Sequence, residues 1–138
     1  MQTGYFSVGI GLAADPEVVS VTAQTAEQGG FHSLWAPEHV VLLDQYSSKY
    51  PYSADGRMPM QTTQVDILDP FAALTFAAAQ TKTIRLGTGI CLVPERNPVI
   101  TAKEVASLDK LSGGRFDFGI GVGWLAEEFA AVGVPWER

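Results

Sequence analysis

The chain has 138 residues, of which 46% are hydrophobic and 17% are charged, and its formal net charge is −6. This length and composition predict one folded domain with a hydrophobic core and argue against a disordered chain. The acidic balance argues against a nucleic-acid or anionic-membrane partner, since both favour clustered Lys and Arg side chains.

The compartment is indicated by the single cysteine and by the start of the chain. Cys91 has no second cysteine with which to form an internal disulfide, which fits a reducing cytoplasm. The first residues lack the basic stretch of a signal peptide, and no run approaches the roughly 20 apolar residues needed to cross a bilayer. We therefore expect a soluble, cytoplasmic protein with no membrane partner.

Strand-like segments alternate with helical patterns along the chain. Short runs rich in β-branched or aromatic residues predict four strands, at Tyr5–Leu12, Phe31–Pro37, Thr83–Ile90 and Arg115–Gly121. An Asp or Asn that can cap a helix, followed by a proline, predicts helix starts at Asp15-Pro16, Asp69-Pro70 and Asn97-Pro98. A fourth helix is predicted from about Trp124. This alternation predicts an α/β fold of four parallel βα units with right-handed crossovers.

A long segment at residues 40–68 separates the second strand from its helix and shows no helical or alternating period. Loops that follow the strands of a parallel sheet lie at its carboxyl edge, where α/β folds bind their ligands. The segment therefore predicts a lid or a substrate-binding wall, with Tyr50 and Tyr52 as candidate substrate contacts. A solvated insertion without function is the alternative interpretation.

Glu38 and His39 follow the second predicted strand directly. A histidine at the carboxyl end of a strand can exchange a proton near neutral pH, and Glu38 could hold a ligand hydroxyl or amide. The alternative is a surface Glu-His pair at the mouth of a loop.

Two glycine-rich strand ends, Gly87–Ile90 and Gly119–Gly123, would let a flat or phosphorylated ligand approach the backbone. Neither is a dinucleotide fingerprint, because the third glycine of Gly119–Gly123 comes one residue early. Tight small-residue packing under a helix is the alternative. No hydrolase nucleophile motif, phosphate-binding Walker loop or metal-ligand spacing is present in the sequence. These features together favour a bound organic cofactor, and no metal.

Several motifs, taken in order, resemble the luciferase-like family of oxidoreductases. They are Tyr50–Arg57, Asp69-Pro70, Ile84–Gly89, Arg96–Pro98, Ala106–Asp109, Leu111–Arg115 and Gly119–Trp124. The most similar branch uses the deazaflavin coenzyme F420, and the FMN monooxygenases of the same superfamily are the alternative. Their fourth strand usually ends in an Asn-x-Val-Thr type of segment, which Gly-Val-Gly-Trp replaces here, so the deazaflavin is favoured.

The resemblance also implies roles for individual residues. Glu38 matches an acidic residue that contacts the cofactor, and His39 matches a histidine beside the reacting ring. The bond between Gly89 and Ile90 matches a non-proline cis peptide that forms a bulge behind the ring. Further cofactor contacts are implied for Thr88 and for the backbone of Gly121, Val122 and Gly123. Trp124 stands where some members carry an acidic residue.

The fold implied by the resemblance is the N-terminal half of a (β/α)₈ TIM barrel, since a whole barrel needs eight strands and about 250 residues. We expect residues 1–138 to form this half, cut short of the family's remaining strands. The function implied is hydride transfer between coenzyme F420 and an unidentified organic substrate. An FMN-dependent monooxygenase and a non-catalytic half-barrel that self-associates are the alternatives. Open strand edges and exposed inner faces predict a homodimer.

Overall fold

Three long helices begin where an Asp or Asn precedes a proline. In the computed structural model, which describes residues 1–60 and 62–136, they are α1 (Pro16–Gln28), α2 (Pro70–Gln80) and α3 (Pro98–Ser112). The side chains of Asp15, Asp69 and Asn97 each accept hydrogen bonds from backbone N–H groups of the first turn. The three predicted helix starts are confirmed.

The fourth helix, α4 (Ala126–Ala131), is short and begins two residues after Trp124. Its N-cap residue, Leu125, has no capping side chain, and the backbone N–H of Ala126 instead donates to the hydroxyl of Ser48 at 3.0 Å. Within the described residues, no helix has both the length and the apolar character needed to span a bilayer.

Four strands form one parallel sheet, as the alternation of elements predicted: β1 (Gly4–Phe6), β2 (Ser33–Ala36), β3 (Arg85–Thr88) and β5 (Phe116–Asp117). Their order in the sheet is β1-β2-β3-β5. A second, two-stranded parallel sheet pairs β4 (Cys91–Leu92) with β6 (Ile120–Gly121). The arrangement is that of a half-barrel, with β1 and β5 as the edge strands of the larger sheet.

The predicted first strand, Tyr5–Leu12, is wrong beyond Phe6. The φ angle of Ser7 is +86°, and the backbone N–H groups of Ser7 and Val8 both donate to the carbonyl of Trp35, at 3.1 Å each. Because two N–H donors share this one carbonyl acceptor, the regular hydrogen-bond ladder between β1 and β2 ends here. The chain then makes a short 3₁₀ turn at Gly11–Ala14.

The predicted strands Thr83–Ile90 and Arg115–Gly121 are each interrupted near their carboxyl ends. The carbonyl of Gly119 accepts hydrogen bonds from the Thr88 hydroxyl at 2.7 Å and from the backbone N–H of Cys91 at 2.8 Å. These bonds lie between the pairing of β3 with β5 and the pairing of β4 with β6, where the regular ladder is interrupted. A Cβ atom on residue 119 would collide with the carbonyl oxygen of Thr88, so only glycine fits there.

The core lies between the larger sheet and the helices α1, α2 and α3. Leu34 and Leu86, on the two central strands, are fully buried, as are Leu74 of α2 and Leu108 of α3. The packing of this layer fixes the positions of the strand ends on the open side of the sheet.

Residues 40–68 contain no helix or strand in the described part of that segment, as predicted, and Gln61 lies outside the described residues. An isolated antiparallel bridge joins Ile67 to Ile10. The segment, called the insert below, is instead held by side chains of α4.

Candidate functional site

A cavity of about 860 Å³ opens at the carboxyl ends of the strands. Its walls come from the segments that follow β1, β2 and β3, from the β6 end, and from the insert. Binding sites for small organic molecules span roughly 300–1,000 Å³, so the cavity is large enough for a multi-ring cofactor. The structure brings nine of the ten predicted site residues to this cavity: Glu38, His39, Tyr50, Tyr52, Gly89, Ile90, Gly121, Val122 and Gly123.

His39 is held by a buried carboxylate of α4. Its Nδ1 atom lies 2.7 Å from Oε2 of Glu128, a residue that is only 1% exposed. The other oxygen of Glu128 accepts hydrogen bonds from the backbone N–H groups of Val40 at 2.6 Å and Val41 at 3.2 Å. An ionised carboxylate can only accept, so Nδ1 carries a proton and Nε2 is the nitrogen left for exchange with a ligand.

Glu128 was missing from the sequence-based site. The signal available was an acidic residue placed between the buried apolar residues Leu125 and Phe129, on a face that predicts burial. A buried carboxylate needs hydrogen-bond donors, but the sequence does not say that His39 and the start of the insert provide them.

Glu38 is 6% exposed, and its carboxylate is engaged within the protein. Arg96 donates from Nε to Oε1 at 2.7 Å and also from Nη2, and the backbone N–H of Leu92 donates to Oε2 at 2.5 Å. The same guanidinium contacts Asp69 at 2.5 Å and Glu104 at 3.2 Å. Glu38 thus ties the end of β2 to the β4 region, and its contact with a cofactor stays a prediction.

The peptide bond between Gly89 and Ile90 is cis, as the resemblance implied. The N–H of Gly89 still donates to the carbonyl of Ala36 at 2.8 Å, and the Ile90 side chain packs where a Cβ on Gly121 would stand. Thr88 is the one predicted site residue that does not line the cavity, since it is fully buried. Its predicted cofactor contact stays a prediction.

Aromatic rings of the insert surround Trp124. The ring of Trp124 makes edge-to-face contacts with Tyr46, Tyr50 and His39, at centroid distances of 5.5, 5.2 and 6.3 Å. Tyr50 makes a similar contact with Tyr52, at 5.5 Å. The insert therefore forms an aromatic wall of the cavity, and substrate binding by Tyr50 and Tyr52 stays a prediction.

Glu127, next to Glu128 on α4, holds the middle of the insert. Its carboxylate accepts hydrogen bonds from the hydroxyl and backbone N–H of Ser47, at 2.7 and 2.6 Å, and of Ser48, at 2.7 and 3.2 Å. The Ser48 and Ser47 hydroxyls and the Ser47 N–H lower the pKa of Glu127 to about 2. Two consecutive glutamates thus fix the insert over the cavity, which the sequence did not predict.

Two further ionisable groups are buried beside the site. Burial, reinforced by the negative charge of Glu38, raises the pKa of the Cys91 thiol to about 12. Glu95 is 7% exposed, and burial together with the charges of Glu128 and Glu38 raises its pKa to about 7. In the described ranges 1–60 and 62–136, no group of three or more His, Cys, Asp and Glu side chains is placed to hold a metal ion.

Known proteins share this fold. The sequence profile of the luciferase-like monooxygenase family matches residues 6–138. An uncharacterised protein of Mycobacterium tuberculosis is 36% identical over 116 residues, which cover 84% of this chain and 41% of the relative. The 5,10-methylenetetrahydromethanopterin reductase of Methanolobus tindarius is 34% identical over 128 residues, covering 92% of this chain and 31% of the reductase.

Solved structures of two related proteins match the fold of this chain. The coenzyme F420-dependent tetrahydromethanopterin reductase from Methanopyrus kandleri matches with a TM-score of 0.65 and 26% identity, over 98% of this chain and 30% of that one. Monooxygenase RslO1 from Streptomyces bottropensis matches with a TM-score of 0.70 and 29% identity, over 99% and 37%. The chain spans about 30–40% of the length of these proteins.

Proposed function

Because the chain belongs to the luciferase-like monooxygenase family, we propose that it forms part of an oxidoreductase that transfers a hydride between coenzyme F420 and an organic substrate. The observation that carries the proposal is the cavity at the carboxyl ends of the strands, where His39 meets the glycine-rich ends of β3 and β6. A small-molecule cofactor and substrate are the ligands that a cavity of this size accommodates.

Two of the relatives support a deazaflavin. One curated relative is a methylenetetrahydromethanopterin reductase, and one matching structure is described as coenzyme F420-dependent. The end of β6 reads Gly121-Val122-Gly123-Trp124, in place of the segment that usually ends the fourth strand in the FMN monooxygenases.

The residues present fit a planar ring. Gly89, Gly121 and Gly123 offer backbone rather than side chains to the cavity, and Val122 and Ile90 are partly exposed apolar groups beside them. We propose that these segments hold the ring, which supplies the hydride chemistry when bound. His39, oriented by Glu128, holds or gives a proton through Nε2, and the aromatic wall of the insert excludes water from that exchange.

An FMN-dependent monooxygenase is the second candidate. RslO1 is a monooxygenase, and the 4-hydroxyprotoasukamycin monooxygenase of Streptomyces nodosus is 30% identical over 126 residues. These matches are comparable in strength to those of the reductases, so the two cofactors must be compared directly.

Parallel fluorescence titrations with coenzyme F420 and with FMN test the proposal. We expect tighter binding of F420, and tighter binding of FMN would replace it with the monooxygenase. Val122→Glu, which puts a charge in the cavity wall, should weaken binding at least tenfold, or about 1.4 kcal/mol. Val99→Glu is the matched control, because Val99 is equally exposed but lies on α3. If neither cofactor binds at micromolar concentration, a non-catalytic half-barrel becomes the better description.

A further inference from the structure

Glu95 is a buried carboxyl group that the proposed function does not use. It ends the 3₁₀ turn Val93–Glu95, which connects β4 to α3, and it is 7% exposed. Among the described residues, neither of its carboxyl oxygens has a hydrogen-bond partner. Buried polar groups are nearly always paired, so an unpaired carboxyl group requires an explanation.

The carboxyl group lies directly behind the cavity wall. Its Oε1 atom is 3.2 Å from the point that a Cβ on Gly123 would occupy, and Gly123 lines the cavity with a φ of +75°. A side chain at this position would collide with the Phe129 ring, 2.8 Å from the Cβ point, and would crowd Glu95. The group is therefore adjacent to the proposed cofactor and proton-exchange site while remaining almost closed to water.

The charged groups that act on Glu95 lie on three different segments of the chain. Glu38 and His39 follow β2, Arg96 follows the 3₁₀ turn, and Glu128 projects from α4. Glu38 is bonded to Arg96, and Glu128 to His39. Each of these two carboxylates thus has one basic partner, and within ranges 1–60 and 62–136 no basic partner is left for a third negative charge in the same buried region.

We propose that Glu95 is held as a neutral carboxylic acid behind the cavity wall and acts as a positioning residue for the proton on His39. With Glu95 neutral, Glu38 remains paired with Arg96 and Glu128 with His39. If Glu95 loses its proton to water, the added negative charge opposes the release of a proton from the nearby His39 ring. The part that the His39 proton plays in the reaction rests on the proposed function, whereas the neutral state of Glu95 does not.

The direction of the pKa shift agrees with this geometry. Burial and the negative charges of Glu128 and Glu38 raise the pKa of Glu95 from its ordinary 4.5 to about 7, against the opposing effects of His39 and Arg96. A group whose pKa is higher in the folded state stabilises the fold below its unfolded pKa. That contribution is lost as the pH rises from 4.5 through 7.

The first test compares the thermal stability of Glu95→Gln with that of the wild-type chain across pH. Glutamine is a neutral isostere, so we expect a similar Tm at about pH 5 and a variant Tm higher by roughly 5 °C at about pH 8.5. Glu104→Gln is the matched control, since it removes a partly exposed carboxylate from the same Arg96. It should give no such gain. A Glu95→Gln variant less stable than wild type at alkaline pH would overturn the proposal.

The second test follows the two histidine rings by NMR during a pH titration, without any cofactor. The chain has only His32 and His39, so each can be assigned by a single substitution. In Glu95→Gln the pH dependence of the His39 ring signals should differ from that of the wild-type chain between about pH 6 and pH 8, because a nearby negative charge is removed. The His32 signals should be the same in both chains. Identical His39 signals in the variant and the wild type would remove the positioning role.

A third measurement covers the case in which Glu95→Gln does not fold. The infrared spectrum of the wild-type chain should then contain a carboxylic-acid C=O band at about pH 6 that disappears by about pH 8. Absence of the band at the lower pH would overturn the proposal. Since none of these readouts needs a cofactor, failure of the proposed function would leave them interpretable.

Discussion

The Nδ1 atom of His39 lies 2.7 Å from Oε2 of Glu128, although the two residues are 89 positions apart in the sequence. The carboxylate is almost completely buried, and its second oxygen binds the first backbone N–H groups of the insert. One side chain of α4 therefore sets both the orientation of the histidine and the course of the chain that follows it.

His39→Ala should lower turnover far more than it weakens cofactor binding in an enzyme that contains the whole fold. Acid–base assistance contributes about 10²–10⁴-fold to rate, so a loss of this size is expected. Steady-state kinetics and a cofactor titration on the same preparation measure the two effects. His32→Ala is the matched control, because His32 precedes β2 at the opposite end of the strand. Near-normal turnover of His39→Ala would return the residue to a structural role.

Glu127→Gln should release the middle of the insert. Its carboxylate accepts four hydrogen bonds from Ser47 and Ser48, and bonds to a charged group contribute about 1.5–3 kcal/mol each. Loss of part of this energy should speed tryptic cleavage after Lys49 and Arg57 by roughly tenfold or more. Time-resolved proteolysis measures the rate, with Glu104→Gln as the control. Equal cleavage rates in the variant and the wild type would show that Glu127 does not hold the insert.

Glu27→Gln should destabilise the fold at neutral pH but not in strong acid. Burial favours the neutral form of Glu27, but the backbone N–H groups of Ile84, Thr83 and Lys82 outweigh it and lower the pKa to about 2. The ordinary value is 4.5, so the stabilisation is present above pH 4.5 and is lost as the pH falls through 2.

Denaturant unfolding of both chains at several pH values measures this effect. At neutral pH the variant should lose about 1–3 kcal/mol of unfolding free energy. The difference should shrink steadily as the pH is lowered. A difference that stays constant with pH would mean that the charge of Glu27 contributes nothing.

Purified protein of these 138 residues should associate into a homodimer. Phe6, Ile120 and Val122 are 54%, 63% and 71% exposed on the cavity side, and β1 and β5 are edge strands with unpaired backbone groups. A second copy can cover both features through a two-fold contact. Light scattering at micromolar concentration measures the mass. A stable monomer would contradict this prediction, and Val122→Glu should shift the equilibrium towards monomer.

Much of the fold could be predicted because its signals are local. A capping Asp or Asn before proline marks the start of α1, α2 and α3, since the groups that stabilise a helix start lie within a few residues of one another. The lengths of the strands could not be predicted in this way. Whether β1 ends at Phe6 or continues depends on how Ser7 and Val8 share the carbonyl of Trp35, which belongs to another strand.

The sequence by itself determined that the four strands are parallel, where the helices start, and that His39 and the glycine-rich strand ends lie at one edge of the sheet. Those features follow from periodicity and from the rule that parallel strands share their carboxyl edge. Only the tertiary structure decided that Glu128 binds His39, that Arg96 binds Glu38, and that Glu95 has no hydrogen-bond partner in the part of the chain that the structure describes. Each depends on side chains that distant elements bring together, and a pattern along the chain carries no information about such distances.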